Sequence, residues 1–238
     1  TKVVLLNQRN NPQRKRKRDV ASKARVSMWN RVHQVVFVVS SLALSWLSML
    51  ATHEFGHVLG AWATGGEVQK VVLHPLAVSR VDISPNPQPL AVVWAGPAFG
   101  CLFPLVGWCV LRLLDISAAI FAQFIAGICL IANGCYIGLG SFWRIADAGT
   151  MLQHGSEPWQ LWLFGSLALA GGLRICHGLG PRFGLGESSE QVSTTTTYAT
   201  CAVLLAVVLL EMWLFETSNW YSSESPKPGG ESVVRQKR

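Results

Sequence analysis

A single pentapeptide, His53-Glu54-Phe55-Gly56-His57, carries residue types and a spacing suited to metal chemistry. On a helix, residues four apart share a face, so both imidazoles can grip one Zn²⁺ while Glu54, one residue along, stands beside them as a proton acceptor. A hydrolytic zinc keeps three protein ligands and one open position, so a third ligand must come from elsewhere in the chain. With only 13 acidic residues, the search is short. Asp19 lies in a basic N-terminal stretch, Asp82 in a polar connector, Asp115 in a short turn, and Glu211 and Glu216 close the last apolar run. Asp147 follows the third apolar run in Arg144-Ile145-Ala146-Asp147-Ala148-Gly149, where small neighbours permit close backbone approach. It is the leading candidate. His154 and then His74 are the alternatives, and an ion pair with Arg144, three residues earlier, is the competing role for Asp147.

The pentapeptide ends an apolar run that begins near Val35, which places the motif where a membrane helix should be purely hydrophobic. Half of the 238 residues are hydrophobic and 14% are charged, a membrane protein's profile. Apolar stretches recur at 32–63, 90–114, 116–145, 159–179 and 198–215, each near or above the roughly 20 residues that cross a bilayer core. The expected architecture is therefore all-α and polytopic, with about five transmembrane helices and a short β-hairpin connector after the first. The hairpin is expected from Glu67 to Leu73 and from Ser79 to Ile83, around the His74-Pro75 break. Successive helices alternate in direction, so the first and third end on the same side, and His53, His57 and Asp147 all lie near those ends. Three regions follow: a basic flexible tail at 1–31, a membrane-embedded domain at 32–216 and a flexible C-terminal tail at 217–238.

Much of the net charge of +7 sits in Arg14-Lys15-Arg16-Lys17-Arg18 and the basic residues after it. Beside a first membrane helix such a cluster reads as a topology signal or a contact to anionic lipid headgroups, and no nucleic-acid partner is expected. No cleavable leader is expected, since the chain opens on a polar, basic stretch. The six cysteines form no Cys-x-x-Cys pair and read as small buried hydrophobes. A transporter would line several helices with intramembrane charge and show repeated halves, neither of which is present. A di-iron oxidase would need more than six histidines.

Together these residues resemble the site-2 protease family of intramembrane zinc metalloproteases, in particular a compact, poorly characterised branch. The resemblance rests on His53, Glu54 and His57 in a first core helix, the Gly65-Gly66 connector, Ala95-Gly96-Pro97 opening a second, and Asp147-Ala148-Gly149 as a variant of the family's Asp-Gly motif. It covers about 33–163. The family's third motif carries an Asn some eight residues before the Asp, whereas Asn133 lies fourteen before Asp147 and no proline intervenes. The resemblance implies an integral, multi-pass zinc endopeptidase that cuts membrane protein substrates in or near their membrane-spanning segments. Zn²⁺ would be held by His53, His57 and Asp147, Glu54 would be the general base, and Val71, Leu73 and Asn133 would contact substrate, the first two through a strand edge that holds an unwound segment. The alternative is a non-catalytic metal-binding membrane scaffold with a protease-like fold.

Overall fold

The computed structural model describes the backbone of residues 12–75, 79–185 and 192–224, and side chains from 28 to 216 within those ranges. Its elements are α1 (Pro12–Ala63), β1 (Val68–Val72), β2 (Arg80–Ile83), α2 (Pro89–Leu113), α3 (Ala119–Trp143), α4 (Ala146–Gln153), α5 (Pro158–Cys176), a 3₁₀ turn (Gly180–Phe183) and α6 (Thr194–Glu224). Among the described residues four helical segments are long and apolar enough to cross a membrane: Met28–Ala63, Pro89–Leu113, Ala119–Trp143 and Thr194–Glu216. The protein is an integral, multi-pass membrane protein.

The fifth expected span is the 19-residue helix α5, which carries Gln160 and Arg174 and falls short of the apolarity of the other four. The expected tails also differ. Helix α1 starts at Pro12, because no Gly or Pro interrupts Gln13 to Phe55 and Lys and Arg are good helix formers. Helix α6 runs to Glu224, past the expected limit at 216. Residues 1–11 and 225–238, and the side chains of the basic run Arg14–Arg18, lie outside the described residues.

The polar residues of α1 are reconciled with an apolar surrounding by bonding to their own helix. Ser41 Oγ donates to the Phe37 carbonyl at 2.7 Å, Ser45 Oγ to the Ser41 carbonyl at 2.8 Å and Thr52 Oγ1 to the Ser48 carbonyl at 2.8 Å, so these three hydroxyls do not face hydrocarbon unpaired. The helix stops at Ala63, where Gly65 takes φ +76° and the Gly66 N–H donates to the Ala61 carbonyl at 2.8 Å. The short hairpin follows, antiparallel, with Val71 opposite Val81, Val72 opposite Arg80 and an irregularity between Val68 and Lys70.

Helix α3 is central, packed on α1, α2, α4 and α5. Its seam with α5 is made of small residues: a Cβ on Gly134 would lie 2.8 Å from the Gly165 carbonyl oxygen, and one on Gly172 would lie 2.6 Å from that of Gly127. Backbones can meet this closely only without side chains, which is how membrane helices gain packing where no hydrophobic driving force separates them from lipid. Trp162 Nε1 donating to Ser141 Oγ and Gln123 Nε2 donating to the Ile175 carbonyl fasten the same seam. One buried cluster, Val93, Ile137, Ala148, Met151 and Leu161, joins α2, α3, α4 and α5. Another stacks Phe183 of the 3₁₀ turn on Phe37 of α1. All six cysteines are free; Cys101 and Cys129 are buried as expected, and Cys109 is exposed.

Candidate metal centre

Helix α1 delivers His53, Glu54 and His57 on its inner face, all three buried at 5 to 8% exposure. The wall opposite is the backbone of α2. A Cβ on Gly56 would collide with the Ala95 carbonyl and the Gly96 Cα, and a Cβ on Gly96 would overlap the His57 ring. The Ala95-Gly96-Pro97 sequence thus has a mechanical meaning: the imidazole lies on bare backbone. His57 Nδ1 then reaches the Val92 carbonyl at 3.0 Å. Helix α3 supplies Asn133, fully buried, whose Oδ1 lies 2.7 Å from His53 Nδ1.

Asp147 is not on the third helix or its direct continuation. The chain breaks after Trp143, with Arg144 at φ 52° and Ala146 at φ 48°, and α4 folds back so tightly that a Cβ on Gly149 would overlap the Arg144 carbonyl. Two non-glycine residues in the left-handed region cost energy that the surrounding structure must supply, a pattern found where a side chain must be aimed. Here it aims Asp147 at α1. Its Oδ2 stands 2.7 Å from His53 Nε2 and 3.2 Å from His57 Nε2. Ligand atoms of His53, His57 and Asp147 lie within 4.8 Å of one another, the one such group among the described residues.

The donor set fits a divalent cation. The Val92 carbonyl only accepts, so His57 Nδ1 carries a proton. Asn133 Nδ2 donates to the Cys129 carbonyl at 2.9 Å, which turns Oδ1 toward His53, so that Nδ1 donates as well. Both Nε2 lone pairs consequently face one carboxylate oxygen, an arrangement that repels unless a cation lies between them. Either two buried imidazolium protons or one metal ion satisfies it, and partners on the outer nitrogens are the usual means of orienting metal-binding imidazoles. Two imidazoles and a carboxylate suit Zn²⁺.

A cavity of about 380 Å³ opens on this cluster, lined by Glu54, His57, Tyr136, Asp147 and Thr150 on one side and by Ser79, Arg80, Val81, Ile83 and Asn86 of the hairpin and its exit. Strand β2 therefore faces the site. Val71 and Leu73 do not: they line a separate apolar groove with Phe55, Trp62 and Phe99. Asn133 is a ring partner with both amide ends engaged rather than part of the cavity wall. The alternative ligands stand elsewhere, His74 against the Phe215 ring and His154 bonded to the Thr150 carbonyl. Among the described residues Asp147 pairs with the two imidazoles and not with Arg144.

Tyr136 was not anticipated from sequence; Ser79 to Ile83 were expected as part of the hairpin whose edge takes a substrate strand, with Val71 and Leu73 named as the contacts. For Tyr136 a signal existed, since it follows Asn133 by three residues and so shares its helix face.

No curated protein and no solved structure matches the chain. Residues 26–149, which run from within α1 to the turn that carries Asp147, match the family described as Peptidase M50B-like. With the histidine pair, the Ala-Gly-Pro wall and the aspartate all inside that match, the chain belongs to the Peptidase M50B-like family, within the site-2 proteases.

Proposed function

We propose that the protein is an intramembrane zinc endopeptidase that hydrolyses peptide bonds in or near membrane-spanning segments. The observation that carries this reading is the convergence of His53 Nε2, His57 Nε2 and Asp147 Oδ2 beside a cavity lined by Glu54, His57 and Asp147, toward the end of a membrane helix. Zn²⁺ bound there supplies Lewis acidity, which polarises a carbonyl and makes water a usable nucleophile near neutral pH. Glu54 accepts the proton of the attacking water and returns it to the departing amine. Asn133 and the Val92 carbonyl keep the two imidazoles turned, and Gly96 leaves His57 the room it occupies.

A helical substrate has its carbonyls tied up in its own hydrogen bonds and must be unwound before it can be cut. Among the described residues strand β2 is paired on one side only, with β1, and its residues line the cavity, so an extended segment added along β2 would pass the cluster. On this reading the substrate strand would run along Arg80–Ile83 rather than along Val71 and Leu73.

The test is metal content and cleavage of a panel of transmembrane-helix substrates by the detergent-purified protein, its Glu54→Gln form and its Asp147→Asn form. About one zinc per chain, cleavage by the parent, retained metal without cleavage in Glu54→Gln and lost metal in Asp147→Asn are expected. Equal cleavage by parent and Glu54→Gln would end the reading.

A further inference from the structure

Resting on the hydrolytic reading above, we propose that Tyr136 is a catalytic residue whose phenol O–H hydrogen-bonds the oxyanion that develops on the scissile carbonyl. Hydrolysis of an amide concentrates negative charge on that oxygen, and a donor fixed in advance at its position is among the largest contributions a site can make. The amide of Asn133 is not placed to serve, because the side chain is fully buried, is held by bonds to His53 and the Cys129 carbonyl, and does not line the cavity.

The other donors on the cavity wall fall away in turn. The Thr150 hydroxyl donates to the Ala146 carbonyl at 3.2 Å. Arg80 is exposed and pairs with Asp82 on its own strand. Ser79 and Asn86 sit on the hairpin and its exit, where buried Oγ and Oδ1 atoms without partners suit the backbone of an added strand rather than its reacting carbonyl.

Tyr136 remains, on a helix rather than a loop. It lies one turn beyond Asn133, its neighbour Ile137 is fully buried, and its ring stands edge-on to His53 with centroids 5.5 Å apart. The ring is thereby referred to one of the metal-binding imidazoles, while 40% exposure leaves the residue open to the cavity. Tyr136 shares the cavity wall with Glu54, the general base, and Asp147, the third ligand. The phenol keeps its proton throughout: it donates a hydrogen bond as charge builds on the carbonyl oxygen and is left unchanged when the amine departs.

Tyr136→Phe removes the hydroxyl and keeps the ring against His53. With a transmembrane-helix substrate, kcat should fall by about 100- to 1,000-fold while KM and zinc content stay within about twofold. An independent readout uses zinc-loaded Glu54→Gln protein, with and without Tyr136→Phe, binding a peptide phosphinate that mimics the tetrahedral species. The phosphinate should bind about 10- to 100-fold more weakly without the hydroxyl, and the parent amide peptide equally well. Unchanged kcat, or unchanged phosphinate binding, would overturn the assignment of Tyr136, as would loss of zinc from Tyr136→Phe. Equal cleavage by parent and Glu54→Gln would instead strike the hydrolytic reading, and an inert parent leaves the phosphinate comparison to decide on Tyr136.

Discussion

Asn133 acts through a nitrogen that never faces the cluster. By accepting from His53 Nδ1 at 2.7 Å it fixes which ring nitrogen is free, and its own orientation is fixed by the bond from Nδ2 to Cys129. Removing such a partner from a metal-binding imidazole costs about 10- to 100-fold in metal affinity. Asn133→Ala should show that loss in a competition with a chelator of known affinity, and Asn133→Asp, which keeps an acceptor at the same place, should recover most of it. Equal affinities in all three proteins would mean that His53 needs no orienting partner. Gly96 contributes in the opposite sense, by what it lacks. Since a Cβ there would overlap the His57 ring, Gly96→Ala should displace that ring and reduce zinc to well below one per chain. Zinc at parental levels in Gly96→Ala would show that α1 and α2 can separate.

Among the elements, the break between α3 and α4 decides whether a third ligand exists. Arg144 at φ 52° turns the chain so that Asp147 faces α1 rather than continuing up a helix. A β-branched residue tolerates this conformation poorly, at a cost on the order of 1–2 kcal/mol, whereas glycine adopts it freely. Arg144→Val should therefore lower both thermal stability and zinc affinity, and Arg144→Gly should lower neither substantially; identical behaviour of the two would remove backbone conformation as the reason. The same break explains where sequence reading stops. Periodicity places His53 and His57 on one face, and apolar length finds the spans, because both are local properties of the chain. The end of α3 is invisible by those means: Phe142 and Trp143 are its last residues, Ile145 keeps the run apolar beyond them, and the turn is made without glycine. Which hairpin strand faces the site is likewise set by packing. Val71 and Val81 are cross-strand partners with similar chemistry, yet the first lines the apolar groove and the second the cavity.

At the scale of the molecule, the cluster gathers four helices at one point: α1 with both imidazoles, α2 with the Val92 carbonyl, α3 with Asn133 and α4 with Asp147. Helices that lipid surrounds gain little from associating through apolar surface alone, so a bond set reaching across all four matters to how firmly they stay assembled. Bound metal also favours the assembled form by mass action, by about 2.7 kcal/mol when free zinc exceeds its dissociation constant a hundredfold. For a domain of this size, that corresponds to roughly 5–10 °C in melting temperature. Chelation should lower the melting temperature of the parent in detergent by about that much and re-addition of zinc should restore it. Asp147→Asn should melt near the chelated parent and respond to neither treatment, because the metal no longer spans α1 and α4. A parent whose melting temperature is unmoved after its zinc is demonstrably removed would mean that the α3–α5 glycine seam and the Val93, Ile137, Met151 cluster hold the helices without help from the site.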